Sequence, residues 1–299
     1  MKKILVTGAN GLLGQHLINM LLKENNAVVG CGTGPCRLPF TAANNFAYYD
    51  CDITDEIAVF NLFEKEQPTI VVHAAAMTQV DDCELQQEKA EAVNVKGTAT
   101  VLLNAEAYSS HFIYISTDFV FDGAKGNYEE EDHLNPISWY GFTKVQAESI
   151  TELSEIPWTI VRTCLVYGNA LNGTRNNIIT WVKQNLEAQK NIKVVTDQVR
   201  TPTYVEDLAR GIVLVIEKKA TGIFHISGKD VLTPYQMAEA TAAHFKLDKN
   251  LLQPVDASTF TQPGRRPPKT GFNINKAVTQ LGYQPLSFVE GIAKMFAAS

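Results

Sequence analysis

The stretch Ile4-Leu5-Val6-Thr7-Gly8-Ala9-Asn10-Gly11-Leu12-Leu13-Gly14 decides the fold. An apolar run of strand length meets a glycine-rich turn, and the turn opens an apolar-periodic helix over 12–23. Gly8 suits the tight turn, Gly11 lets backbone approach a pyrophosphate, and Gly14 lets the helix pack closely on the strand. Free N–H groups and the dipole at the helix start favour negative charge. The turn, with Asn10, Leu12 and Leu13 between its glycines, is therefore expected to bind a dinucleotide. Its spacing, G-x-x-G-x-x-G, is one residue wider than G-x-G-x-x-G.

Outward from this turn, short apolar runs at 3–6, 27–31, 47–49, 69–73, 112–116 and 158–162 alternate with helical patterns at 12–23, 56–65, 89–109 and 140–154. Alternation of that kind means βαβ units and a parallel sheet covered on both faces. After Tyr167-Gly168 the rhythm changes. A polar loop at 169–177 precedes a helix at 176–188, a strand at 193–196, a helix at 207–218 and a strand at 222–227. Thr233-Pro234 opens a helix to 245, with Pro in the first turn. A Pro-rich basic loop at 263–268 and a short helix at 274–281, stopped by Gly282, follow. The pattern predicts an α/β chain with a Rossmann-type doubly wound parallel sheet and a smaller α/β substrate-binding lobe. Residues 1–165, joined by 205–220, are expected to form the first unit, and 166–204 with 221–299 the second.

The end of the second strand reads Val28-Val29-Gly30-Cys31-Gly32-Thr33-Gly34, with no acid before Asp50. NAD sites place an acid there for the ribose 2′-hydroxyl. Its absence, and Arg37 close by to pair with a 2′-phosphate, favour NADP over NAD. Asp52 and Ile53 are expected near the adenine, and the small residues Ala74, Ala75 and Ala76 let backbone lie along the cofactor. Asn94 reads either as a site residue or as one that satisfies backbone groups.

Tyr140 and Lys144 are four apart on a predicted helix and share a face. A phenol titrates near pH 10, and a nearby ammonium favours its ionised form. Tyr140 is then a proton donor to a developing alkoxide, recharged afterwards. Thr117, at the end of a predicted strand, can polarise the same oxygen. Ser116 points to the opposite side of that strand, where capping or packing competes evenly with a role at the site.

The chain has 299 residues, 45% hydrophobic and 19% charged, in the ordinary range for a globular enzyme. A net charge of -6 argues against nucleic-acid binding. No apolar run has the length of a membrane span. The start, Met1-Lys2-Lys3, leads into a strand instead of a signal-peptide core, which gives a cytoplasmic expectation. The five scattered cysteines form no C-x-x-C pair, and no metal site is expected. The acidic run Glu129-Glu130-Glu131-Asp132 reads as a solvated surface.

Taken in order, these residues resemble the extended short-chain dehydrogenase/reductase superfamily, and within it the dTDP-4-dehydrorhamnose reductase family. The resemblance rests on the segments from Ala74 to Glu84, Ser116 to Gly123, Pro136 to Lys144, Arg162 to Gly168 and Asp197 to Tyr204, and on Arg265-Arg266-Pro267. It implies that Thr117, Tyr140 and Lys144 are the catalytic trio, reducing the 4-keto group of a nucleotide-linked 6-deoxy sugar with NADPH. Val80 would flank the sugar, while Arg265 and Arg266 would meet its diphosphate. It also implies a homodimer built on 89–109 and 140–154. Leu165 stands where the family usually has a Trp in the sugar pocket, which opens the identity of the sugar. Two other relatives compete. A sugar-nucleotide epimerase or dehydratase would want the missing acid after the second strand, or Asp-Glu after Thr117 where this chain has Asp118-Phe119. The regulatory subunit of methionine adenosyltransferase shares the fold, binds NADP and keeps Tyr-x-x-x-Lys.

Overall fold

Leu5 is buried on one side of the first strand, and Ile4 and Val6 on the other, so the sheet has an apolar core on each face. A computed structural model of the chain describes residues 2–39, 43–173 and 176–297. Thr174 and Arg175, within the predicted 169–177 loop, lie outside the described residues. In chain order the first unit comprises β1 (Lys3–Thr7), α1 (Leu12–Lys23), β2 (Ala27–Gly32), β3 (Phe46–Asp50), α2 (Glu56–Glu66), β4 (Ile70–His73), α3 (Val80–Leu85) and α4 (Gln87–Glu91). A π-helical turn (Ala92–Lys96) then leads into α5 (Gly97–Ala107), β5 (His111–Thr117), α6 (Trp139–Glu152) and β6 (Trp158–Thr163). The rest of the chain holds β7 (Val166–Tyr167), α7 (Ile178–Glu187), β8 (Ile192–Val195), β9 (Thr203–Tyr204), α8 (Val205–Lys218), β10 (Gly222–His225), α9 (Pro234–Phe245), β11 (Leu252–Val255) and α10 (Phe288–Met295).

The main sheet is parallel throughout, in the order β10-β6-β5-β4-β1-β2-β3. The chain winds one way from β1 to β3 and the other way from β4, so the order reverses between β1 and β4. A crevice opens beyond the strand ends at such a reversal. α1 and α8 cover one face, with Leu17, Ile18 and Leu21 packed with Leu208, Ile212 and Val213. α2, α5 and α6 cover the other, through Val59, Phe63, Val101, Ala105 and Ala147. Each buried Ile, Leu or Val in these layers contributes roughly 1.5–3 kcal/mol before chain entropy is subtracted.

The smaller lobe rests on the parallel pair β8–β11, with α7 and α9 packed over it through Val182, Leu186, Ala238 and Ala242. Its helices start where side chains satisfy the first N–H groups: Asn177 with Thr180 at α7, and Thr233 with Gln236 at α9, are capping boxes. The expected boundary needs one correction. β10, which the sequence pattern assigned to the smaller lobe within 221–299, pairs with β6 and forms an edge of the main sheet. α8 is the crossover that returns the chain to that edge, and Phe224 seals the core beneath it. Ala277, Leu281 and Tyr283 join the same core. A second correction concerns the acidic run. Glu130 is buried and accepts the His225 N–H at 2.9 Å, while its own carbonyl accepts from Arg162. Among the described residues, no helix is long and apolar enough to cross a membrane.

Candidate active site

A cleft of about 1240 Å³ lies at the strand ends between sheet and smaller lobe. At one end sits the β1–α1 turn. Gly11 N donates to Gly8 O at 2.9 Å, closing the turn. A Cβ on Gly14 would collide with Gly8 O and lie 2.8 Å from Ala9 Cα, so this close approach of helix to strand requires glycine. No side chain caps α1, and its first turn carries no acid. Its leading N–H groups therefore have no side-chain acceptor, while Gly11, Leu12, Leu13 and Gly14 all line the cleft.

The Ala74–Ala76 wall is fixed from behind. Thr7 Oγ1 accepts the N–H groups of Ala74 and Ala75, both at 3.1 Å, so its own proton goes to His73 Nδ1 at 2.9 Å. His73 Nε2 then donates to Thr98 Oγ1 at 3.1 Å, which donates to Asn94 O at 2.7 Å. Burial first, and the Lys144 charge second, push the His73 pKa down to about 3, so the ring is neutral as this chain requires. Asn94 takes the backbone-satisfying role. Its side chain accepts Met77 N at 2.8 Å and donates to Met77 O and Thr143 Oγ1, both at 3.0 Å.

At the other end, β5 and α6 bring Thr117, Tyr140 and Lys144 to one wall. Thr117 Oγ1 donates to Asp118 Oδ1 at 3.1 Å and accepts Phe119 N at 3.3 Å, capping the 3-10 turn Asp118–Val120. Tyr140 is 8% exposed, its ring edge-on to Phe119 with centroids 5.7 Å apart. Lys144 Nζ donates to Ile115 O at 2.8 Å and sits 4.2 Å from the centre of the Tyr114 ring. Burial pushes its pKa down to about 7, against smaller upward pulls from Glu148 and Cys83.

α6 starts where Ser138 caps Gly141 N at 3.2 Å. Gly141 touches the 3-10 turn: a Cβ there would collide with Phe119 O and lie 3.0 Å from Pro136 Cβ. Gly141→Ala is expected to push the first turn of α6 away from Thr117. The expected cost is roughly 1–3 kcal/mol, read as a lower melting temperature, together with lost turnover. An unchanged melt would mean that the turn yields freely.

Other expected residues divide. Gly8, Asn10, Arg37, Asp52, Ile53, Val80, Leu165 and Arg266 line the cleft with the residues above. Arg265 does not: it is exposed and absent from the lining. Arg266 is already engaged, bidentate to Asp81 at 2.5 and 2.7 Å, and it holds the Asp81 carboxyl below the usual range. Ser116 borders the cleft, but its hydroxyl donates to buried Glu148, which also accepts Arg162 at 2.7 Å. The strand alternation turns it into this ion pair, so its hydroxyl is not presented as a substrate contact. Leu165 has φ +40° and lies between the main cleft and a second cavity of about 160 Å³, lining both.

Sequence reasoning missed a buried group beneath Thr117. Asp118 Oδ2 accepts from Thr270 Oγ1 and from Cys164 Sγ at 3.3 Å, with Arg200 Nε at 3.8 Å. Arg200 in turn donates to Pro267 O at 2.7 Å and Pro268 O at 3.1 Å, tying the 263–270 loop to the end of β5. The segment Asp197 to Tyr204 was the available signal, but its Arg had no visible partner in sequence.

Similarity to known proteins agrees with this geometry. The chain is 31% identical over 296 residues to the spore coat polysaccharide biosynthesis protein SpsK of Bacillus subtilis, covering 98% of this chain and 96% of that one. It is 30% identical over 283 residues to methionine adenosyltransferase 2 subunit beta of Rattus norvegicus, covering 93% and 82%. The crystal structure of dTDP-4-dehydrorhamnose reductase from Bacillus anthracis in complex with NADP superposes with a TM-score of 0.85 at 29% identity, covering 99% of each chain. The family model described as the RmlD substrate binding domain matches residues 1–299. With the parallel sheet, the glycine turn and the strand-end cleft, that full-length match places the chain in one family: it belongs to the RmlD substrate binding domain family.

Proposed function

We propose that the protein is an NADPH-dependent reductase of the 4-keto group of a nucleotide-linked 6-deoxy sugar. The observation that carries this reading is the placement of Thr117, Tyr140 and Lys144 on one wall of a cleft whose far end is the uncapped start of α1. The residues fit an NADP dinucleotide: N–H groups without side-chain caps for the pyrophosphate, small Ala74–Ala76 along the wall, and Arg37 at the ribose end. Its relative from Bacillus anthracis was crystallised with NADP. When bound, NADPH supplies hydride. The chain supplies the rest. Tyr140 delivers a proton to the carbonyl oxygen as it becomes an alkoxide. Thr117, whose hydroxyl donates to Asp118 Oδ1, turns that proton to the same oxygen when substrate is in place. The Lys144 charge favours the ionised phenol, which makes Tyr140 a stronger proton donor, and Tyr140 regains its proton from solvent once product leaves. In this reading the main sheet with α8 is the cofactor unit, and the β8–β11 lobe with the 263–270 loop closes over the sugar.

A second reading, an NADP-binding regulatory subunit, has two supports: the resemblance to methionine adenosyltransferase 2 subunit beta and Leu165 at the sugar end of the cleft. The deciding experiment follows NADPH oxidation by the purified protein given a dTDP-4-keto-6-deoxyhexulose. Sustained oxidation supports the reductase. Tight NADPH binding with no oxidation of any nucleotide-linked ketosugar supports the regulatory subunit. Cofactor choice has its own test. Arg37→Ala is expected to raise the NADPH dissociation constant roughly tenfold to a hundredfold, the loss of one charged hydrogen-bond set, and to leave NADH unchanged. Equal weakening of both cofactors would remove Arg37 from the 2′-phosphate.

A further inference from the structure

The segment 33–37 leaves the end of β2 beside the cleft and carries Arg37, yet no strand or helix sets its shape. Side chains do. Asn10 Nδ2 donates to Pro35 O at 3.2 Å and Thr33 O at 3.4 Å, while Asn10 Oδ1 accepts the backbone N–H of Arg37 at 2.9 Å. Asp50 Oδ1 accepts Gly34 N at 2.7 Å. Tyr48, reaching across from β3, completes the set. Its hydroxyl lies 2.8 Å from Gly34 O, 3.0 Å from Gly32 O and 2.8 Å from Asn10 Nδ2.

These bonds have a direction. A phenol has one proton, and here only backbone carbonyls compete for it. Burial raises the Tyr48 pKa, so the hydroxyl stays protonated at neutral pH. Having donated to Gly32 or Gly34, the Tyr48 oxygen offers Asn10 only lone pairs. That turns Nδ2 of the amide toward Tyr48 and Oδ1 toward Arg37 N. Asn10 and Arg37 line the cleft, whereas Tyr48 does not; its ring packs at the edge of the main core beside Phe46. Tyr48 therefore acts on anything in the cleft only through Asn10 and the segment it holds.

We infer that Tyr48 is a positioning residue for cofactor choice, fixing the Asn10 amide and the 33–37 segment so that Arg37 meets the cofactor 2′-phosphate. This rests on the NADP reading of Arg37 given above. Tyr48→Phe removes one oxygen and keeps the ring in the core, so it isolates the hydrogen bonds from the packing.

The test is equilibrium binding of NADP⁺ and NAD⁺, by calorimetry, to the wild type, Tyr48→Phe, Arg37→Ala and the double variant. Tyr48→Phe is expected to weaken NADP⁺ about tenfold and NAD⁺ less than about twofold, the size of one lost hydrogen bond acting on one cofactor alone. In the Arg37→Ala background, Tyr48→Phe is expected to change neither constant further, because the two residues act on the same phosphate. Equal weakening of both cofactors would mean that Tyr48 merely supports the fold, and overturns the inference. So does an unchanged NADP⁺ constant in Tyr48→Phe when Arg37→Ala has lost the preference. If Arg37→Ala itself keeps the preference, the Arg37 reading falls, and the role of Tyr48 falls with it.

Discussion

Tyr140→Phe is expected to lower turnover of a nucleotide-linked ketosugar by about 10²- to 10⁴-fold, the usual contribution of a positioned proton donor. NADPH affinity and melting temperature are expected to stay near the wild-type values. The ring is held by apolar neighbours, Phe119 edge-on and a small cluster with Cys83 and Ala90, and phenylalanine keeps all of that packing. What is lost is the one group in the trio whose proton can pass to the alkoxide and be replaced. Thr117 cannot substitute for it, since an aliphatic hydroxyl ionises far more weakly than a phenol, and this one already donates its proton to Asp118 Oδ1. The measurement is single-turnover oxidation of bound NADPH, which separates the chemical step from product release. A Tyr140→Phe enzyme within a few-fold of wild type would take the proton from elsewhere, and the mechanism above would be wrong.

The parts of this site that were legible in the sequence are those fixed by local geometry. Tyr140 and Lys144 share a face because a helix places i and i+4 together, and the glycine turn announces itself because β1, the turn and α1 are contiguous. The doubly wound sheet followed from alternation alone. What was not legible depends on distant segments meeting. Thr270 reaches Asp118 across 152 positions and Arg266 reaches Asp81 across 185. No spacing in a single chain marks such pairs. Arg265 and Arg266 look equivalent as a dipeptide, yet only one faces the cleft, and that one is bound to a carboxylate. Glu130 has the same origin: in sequence it is one of four consecutive acids, and only the fold sets it against the end of β10. The edge position of β10 was hidden because a short strand following a helix fits either lobe equally well.

Lys144→Met is expected to move stability and activity in opposite directions. The ammonium is almost wholly buried at the wall of the cleft, and burial brings its pKa from 10.5 down to about 7. The folded value is lower than the unfolded one, so between about pH 7 and 10.5 the unfolded chain holds more of this proton than the folded chain. Stability from this residue is therefore complete above 10.5, and is lost as pH falls through that window to about 7. At pH 7 the buried cation costs about 4 kcal/mol relative to an unperturbed lysine. Methionine removes that cost and fills similar volume. Against it stand the Ile115 carbonyl, which loses its donor at about 1–3 kcal/mol, and the cation over Tyr114. The balance favours the variant by a small margin, a rise of a few degrees in melting temperature at pH 7. The margin is expected to shrink as pH rises and to reverse before pH 10, where the cost of burying the charge has fallen to roughly 1 kcal/mol while the Ile115 carbonyl still lacks its donor. Comparing the two proteins at each pH is essential, because Tyr114 and Cys83 are held protonated by burial and pull the wild-type curve the other way at high pH. Turnover is expected to fall by at least about 10²-fold, since the phenol loses the charge that favours its ionised form. A Lys144→Met protein that melts lower than wild type at pH 7 would mean that the hydrogen bond to Ile115 and the Tyr114 ring outweigh the burial of charge. One that melts higher and turns over normally would show that this lysine is a structural cost with no catalytic return.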